Sequence, residues 1–274
     1  MKKRYYIPFL FLSGWLSSCE EEVAHGLPMP VIEGTISSEG YPTVLFSSSI
    51  VPGTDGNLQD AMINWGKVTI SDGEREVVLT GSADASYLPP FRYHTVEMTG
   101  EPGKTYTITA KFKDLYAVST CRLPDPTAID SITFSASSDS LRAATLFFHS
   151  PEDVPAYYYL TMRQPKRDSR DAPCMMGTIR VDSPNKGYSI PVLRPRVKVD
   201  SVKYQSQLMV GEEWIVSLNR VEREVYEFWK AYDNMVLFST SPFLSVNESL
   251  PTNIRGGYGV WSPQGRSSKI IRVE

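Results

Sequence analysis

Three cysteines and three histidines carry the side chains of this 274-residue chain best suited to chemistry. Their spacing excludes most of it. His25, His94 and His149 stand far apart, and no His-x-x-x-His or Cys-x-x-Cys pair occurs. Zinc sites rest on such spacings, so neither a metal nor a cofactor is expected. Beyond the first 18 residues there is no Gly-x-Ser-x-Gly elbow, Walker loop or zincin helix. Asp55-Gly56-Asn57-Leu58-Gln59-Asp60 sets oxygen atoms at alternate positions, as calcium loops do. It lacks the sixth-place glycine and the distal glutamate, and reads as a polar loop. Gly256, Gly257 and Gly259 permit positive φ and close backbone approach. A proline precedes them and strand-like residues follow, which favours a tight turn or bulge over a phosphate cradle. Asn253 is placed to bond the backbone of that turn. No catalytic residue is expected.

One thiol stands in a patterned context. Cys19 ends Leu16-Ser17-Ser18-Cys19, behind a basic head (Lys2-Lys3-Arg4) and an apolar run from Tyr5 to Leu12. Charged, apolar, then small is the layout of a secretory signal peptide. The run is shorter than the ~20 residues a membrane-spanning helix needs. The Leu-Ser-Ser-Cys ending resembles a bacterial lipobox. The resemblance implies cleavage before Cys19, with lipid on its thiol and its new amino group. Several acyl chains at one residue anchor firmly, at ~0.8 kcal/mol per buried methylene. The acidic run Glu20-Glu21-Glu22 resembles the export signal of Bacteroidetes lipoproteins that reach the outer face of the outer membrane.

The chain carries 31 acidic and 28 basic residues. Loss of Lys2, Lys3 and Arg4 with the leader would leave it more acidic. Nucleic-acid binding needs phosphate neutralisation, so that partner is not expected. The basic clusters Lys166-Arg167 with Arg170, and Arg194 with Arg196 and Lys198, adjoin prolines and read as solvated loops. Cys121 and Cys174 lie in what would be an oxidising compartment, which permits a disulfide between them. The alternative is two small buried residues.

The elements that would position these groups are strands. Val23 to Pro30 is small, polar and proline-containing, a tether. Strand-like runs follow at Val31–Ser37, Thr43–Ser49, Lys67–Ser71, Val77–Thr80, Tyr93–Thr99, Thr105–Phe112 and Leu115–Cys121. Asp72-Gly73 is a hairpin signal. This spacing suggests a sandwich of immunoglobulin or transthyretin type. Leu123-Pro124-Asp125-Pro126 stops the pattern, because proline cannot continue a central strand. Strands resume at Ile129–Ala136, Ala143–His149, Ala156–Arg163, Thr178–Asp182, Tyr188–Leu193, Val197–Tyr204 and Glu213–Leu218. Asn219 with Glu222 has capping-box spacing, and Val221, Val225, Phe228 and Tyr232 recur at helical spacing, so a helix is expected at about 220–232. A last strand is expected at Ser268–Val273. The expected organisation is a signal peptide (1–18), a lipidated tether (19–30), an immunoglobulin-like sandwich (31–124) and a second β-rich sandwich or barrel (127–274). Aromatic residues are the best binding lead, above all Tyr157-Tyr158-Tyr159, which must place rings on both faces of one strand, and Trp65, Trp214 and Trp261.

Val31-Ile32-Glu33-Gly34 after the tether, Gly103-Lys104-Thr105-Tyr106-Thr107-Ile108, Tyr116-Ala117-Val118-Ser119 and Asn253-Ile254-Arg255-Gly256-Gly257-Tyr258-Gly259-Val260-Trp261 follow one another in an order that resembles DUF4249, a Bacteroidetes lipoprotein family. The resemblance covers nearly the whole chain after the leader. It implies a role beside TonB-dependent outer-membrane receptors in nutrient capture, but carries over no functional residue. The leading expectation is a non-enzymatic binding or accessory subunit on the outer membrane, taking a small molecule, glycan or peptide. The alternatives are a structural or adhesive surface protein, or a surface hydrolase with a carboxylate site.

Overall fold

The computed structural model describes residues 27–50, 60–167, 170–195, 206–238 and 249–274. The first strands are β1 (Pro30–Ser37), β2 (Gly40–Ser48), β3 (Lys67–Ser71), β4 (Glu76–Val78), β5 (Thr80–Ala83), β6 (Phe91–His94), β7 (Thr105–Phe112) and β8 (Leu115–Arg122). After the proline linker come β9 (Ile129–Ala136), β10 (Leu141–His149), β11 (Ala156–Arg163), β12 (Ala172–Val181), β13 (Gly187–Val192), β14 (Leu208–Met209) and β15 (Glu213–Val221). Helix α1 (Arg223–Phe238) and β16 (Tyr258–Arg272) close the chain. Among the described residues the protein is all-β with one helix.

A long sheet of eight strands runs β12-β11-β15-β16-β1-β2-β6-β5. Two four-stranded sheets cover one of its faces. The first, β4-β3-β7-β8, packs over β1 and β2 and encloses Ile32, Ile36, Val44, Phe46, Tyr106 and Ile108. The second, β13-β10-β14 with β9 on β10, packs over β11 and β15 and encloses Leu146, Phe148, Tyr158, Leu160, Val216 and Leu218. The result is two sandwiches that share one sheet.

Strand β16 joins them. Its first half, Tyr258–Gln264, pairs parallel with β1, and its second half, Gly265–Arg272, pairs antiparallel with β15. Trp261 therefore lies in the first core and Ile271 in the second. The linker crosses the strand where its partner changes: a Cβ on Gly265 would lie 2.3 Å from the carbonyl oxygen of Pro124. The proline linker lies between β8 and β9, and the last strand belongs to both cores. Residues 127–274 are accordingly not a self-contained second unit.

Local chemistry explains where the strands end. The Asp72 carboxylate accepts from the backbone N–H of Glu74 (3.1 Å) and of Arg75 (2.9 Å), and Gly73 takes φ +90°, closing the β3–β4 hairpin. These bonds stabilise the ionised form and hold the Asp72 carboxyl below its ordinary range. The run expected at Tyr93–Thr99 stops at His94, because the Thr95 hydroxyl accepts from the Glu97 N–H and turns the chain. The helix begins three residues later than expected. Asn219 and Val221 continue β15, and the carbonyl of Glu222 accepts the first helical bond, from Tyr226. The strand expected at Val197–Tyr204 lies outside the described residues.

Candidate functional site

The other face of the long sheet carries α1 and, beside it, a groove. Odd-numbered residues of β1 and β11 and even-numbered residues of β16 point to this face. They bring together Glu33 and Thr35, Tyr159, Thr161 and Arg163, and Gln264 and Arg266. Helix α1 packs its apolar side here. Trp229 stacks on Tyr159 with ring centroids 5.2 Å apart, and Tyr226 lies 5.2 Å from Tyr157. The side chain between those two tyrosines, Tyr158, points the opposite way into the second core. The three consecutive tyrosines thus serve both faces, as alternation requires.

The floor is a polar network. Arg266 donates through Nε to Asn219 Oδ1 (2.9 Å), through Nη2 to Gln264 Oε1 (2.8 Å) and through Nη1 to Asp171 Oδ2 (2.6 Å). Gln264 Nε2 donates to the Tyr159 hydroxyl. Asn219 Nδ2 donates to the Tyr159 carbonyl (3.2 Å) and to Thr161 Oγ1 (3.0 Å). Arg163 reaches Asp171 Oδ1 at 3.3 Å. Burial pushes the Tyr159 phenol up to about 12, so it remains a neutral hydrogen-bonding group. Asn219, expected as a helix cap, is instead completely buried in this network.

The groove comprises adjoining chambers. A polar one of about 390 Å³ is lined by Glu33, Arg92, Arg163, Arg170, Gln264 and Arg266, among others. A larger one of about 750 Å³ has apolar walls that include Ile32, Leu88, Phe228, Leu250, Pro251 and Tyr258. Glu33, Arg170, Asp171, Pro173 and Trp229 border both. A third, of about 470 Å³, lies under the end of α1 between Leu160, Cys174, Met175 and Val236. The rim is cationic and aromatic: the guanidinium groups of Arg92 and Arg170 lie 5.7 and 5.3 Å from the centre of the Tyr87 ring. Arg92 also pairs with Asp84 at 3.0 Å. The Glu33 side chain is exposed to the chambers, and partial loss of solvent raises its carboxyl above the ordinary range while the charge of Arg170 opposes that rise. The indole Nε1 of Trp229 is buried without a hydrogen-bond partner among the described residues.

Cys19, Glu20, Glu21 and Glu22 lie outside the described residues, as do His25, Asp55 to Gln59, Arg196 and Lys198. Cys121 and Cys174 are not brought together. Each is a free, buried thiol, the first at the end of β8 in one core and the second in β12 in the other. The permitted disulfide gives way to the alternative of two small buried residues. His149 Nδ1 lies 2.7 Å from Asp130 Oδ2 on an exposed surface. Trp214 and Trp261 are core residues, whereas Trp65 is 86 % exposed. Among the described residues no group of three His, Cys, Asp or Glu is placed to hold a metal ion. Arg170, read from sequence as part of a solvated loop, reaches the groove. Glu33 had a visible signal, a lone acid between the apolar residues of a strand. Asp171 had none, because its partners lie in β11 and β16.

The Asn-Ile-Arg-Gly-Gly segment shapes the start of β16. Gly256 and Gly259 take φ +82° and +104°, and a Cβ on Gly259 would stand 1.9 Å from the Ile32 carbonyl oxygen. This is the tight turn expected of the glycine cluster.

No curated protein matches the chain. Among solved structures it is similar to a two fibronectin type-III domain segment from chicken tenascin. The identity is 13 %, 71 % of this chain and 91 % of that chain are covered, and the TM-score is 0.20. A family model described as a domain of unknown function, DUF4249, matches residues 21–269, and the chain therefore belongs to that family.

Proposed function

We propose that this protein is a lipid-anchored, non-enzymatic binding subunit of the cell envelope, and that it holds its ligand in the groove beside α1. The observation that carries the reading is the groove itself. Apolar and aromatic walls surround a few placed charges in a volume suited to a small molecule. Cys19 and its apolar leader support anchoring, and Glu20 to Glu22 support display on the outer face of the outer membrane. The subunit would work with a TonB-dependent outer-membrane transporter in nutrient uptake. The test is affinity purification from the native outer membrane in mild detergent, followed by mass spectrometry. A receptor recovered in stoichiometric amount is expected. Recovery of the protein alone would remove the transporter and favour a structural or adhesive role.

A second reading, a surface hydrolase, is favoured by the presence of Glu33 and Asp171 in the same groove with the Glu33 carboxyl raised. It is the weaker one, because the Asp171 oxygens are engaged by Arg163 and Arg266 and are poorly placed to act as base or nucleophile.

A further inference from the structure

We infer that the groove takes an amino acid with a bulky apolar side chain, its ammonium group against Glu33, its carboxylate against Arg170 and its side chain in the larger chamber. The inference rests on the binding reading above and names the ligand class.

The argument is one of unmatched charges. Asp171 is matched by Arg163 and Arg266, and Arg92 by Asp84. Among the described residues, the side chains of Glu33 and Arg170 make no hydrogen bond and no ion pair. Both border the polar chamber and the larger one, and both are accessible from them. The charge of Arg170 reaches Glu33 without ion-pair contact between them. Both side chains are exposed to the chambers and neither is engaged by another side-chain charge, so each is open to a ligand group of opposite sign. A lone anion would meet Arg170 but face Glu33. A lone cation would meet Glu33 but face Arg170. A zwitterion with neighbouring ammonium and carboxylate groups satisfies both. The apolar walls beyond Glu33 and Arg170, among them Phe228, Leu250 and Leu88, then receive a hydrophobic body.

Isothermal titration calorimetry with three ligands of one shape tests this. L-Phenylalanine carries both charges, 3-phenylpropanoate lacks the ammonium and 2-phenylethylamine lacks the carboxylate. Phenylalanine is expected to bind at least ~10-fold tighter than either analogue, the worth of one charged hydrogen bond. Glu33→Gln should reduce phenylalanine to the affinity of phenylpropanoate, and Arg170→Gln should reduce it to that of phenylethylamine. Cooperative melting of both variants establishes that they fold. Equal affinity for all three ligands in the unaltered protein, or no binding of phenylalanine, would overturn the inference, as would a folded variant that weakens all three alike. A receptor recovered from the membrane together with no phenylalanine binding would refute this ligand class and leave the binding-subunit reading standing. Phenylalanine binding without a receptor would support this ligand class and remove the transporter partner.

Discussion

Asn253 holds both backbone groups of Trp261. Its Nδ2 donates to the Trp261 carbonyl at 2.8 Å, and its Oδ1 accepts from the Trp261 N–H at 2.9 Å. One side-chain amide thus does the work of a neighbouring strand on the edge of β16 that β15 does not reach. The indole of Trp261 is completely buried and donates to the Tyr106 carbonyl at 3.0 Å, so the clasp fixes the largest side chain of the first core. Asn253→Ala is expected to reduce stability by about 2–3 kcal/mol, the loss of two bonds with both groups left unmet. Asn253→Asp keeps the acceptor but sets a carboxylate oxygen against the Trp261 carbonyl, and should lose at least as much. Urea unfolding of the three proteins measures the order.

Gly259 and Gly73 make an informative pair. Both have positive φ, but a Cβ at Gly259 collides with the Ile32 backbone, whereas one at Gly73 meets nothing within 4 Å. Gly73→Ala should lose only the conformational cost, about 1–2 kcal/mol. Gly259→Ala should lose more than ~3 kcal/mol or fail to fold, because backbone rather than a flexible side chain must move. Thermal melting distinguishes the two.

Glu33 is expected to reduce the stability of the protein that carries it. Its folded-state carboxyl is raised by desolvation, so the native state binds the proton more tightly than the unfolded chain does. Stability contributed by such a group is present below the unfolded value and lost as pH rises through the folded one. Glu33→Gln should therefore melt higher than the parent at pH 7, with the advantage disappearing below about pH 4. Melting curves across that range check the sign. A lower melting temperature at pH 7 would contradict it.

The thiols of Cys121 and Cys174 should resist reagents in the native state. Burial pushes Cys121 up to about 12 and raises Cys174 as well, so little thiolate forms at pH 8. A thiol-reactive chromophore should label neither within the time in which it labels both in guanidinium. Non-reducing electrophoresis should show no mobility shift on reduction.

Cys19→Ala should abolish membrane attachment. The variant is expected in the soluble fraction with no acyl mass on its N-terminal peptide, whereas the unaltered protein partitions into detergent. Replacing Glu20, Glu21 and Glu22 with alanine should keep the acyl mass and abolish labelling by a protease or antibody added to intact cells.

What could be read from sequence was local. In the β7–β8 hairpin, Tyr106, Ile108 and Ala110 are buried and Thr105 is exposed, as period-two alternation requires. Helix α1 was legible in its apolar stripe but not at its start. Asn219 and Glu222 have capping spacing, yet Asn219 is held in β15 by Tyr159 and Arg266, residues remote in sequence. Strand β16 was legible only at its end, because Pro263 and Gly265 read as interruptions. In the folded chain Pro263 sits opposite Ile36, and Gly265 makes room for the linker. The groove was the least legible part. Its charges come from β1, β6, β11 and β16 and from the turn before β12, and only the register of the long sheet brings them to one face.

The pairing of Val31 with Tyr258 sets the order in which this protein can come to exist. The first core needs Trp261 and Val260 from the last strand to be complete. Residues 31–122, although they emerge first, cannot close their own sandwich while the C-terminus is still being made or threaded across a membrane. Loop closure over so long a span slows the final step, in which the last strand completes the first core. On the proposed reading as an exported lipoprotein, this connectivity would delay folding of the first core until the last strand has crossed the membrane.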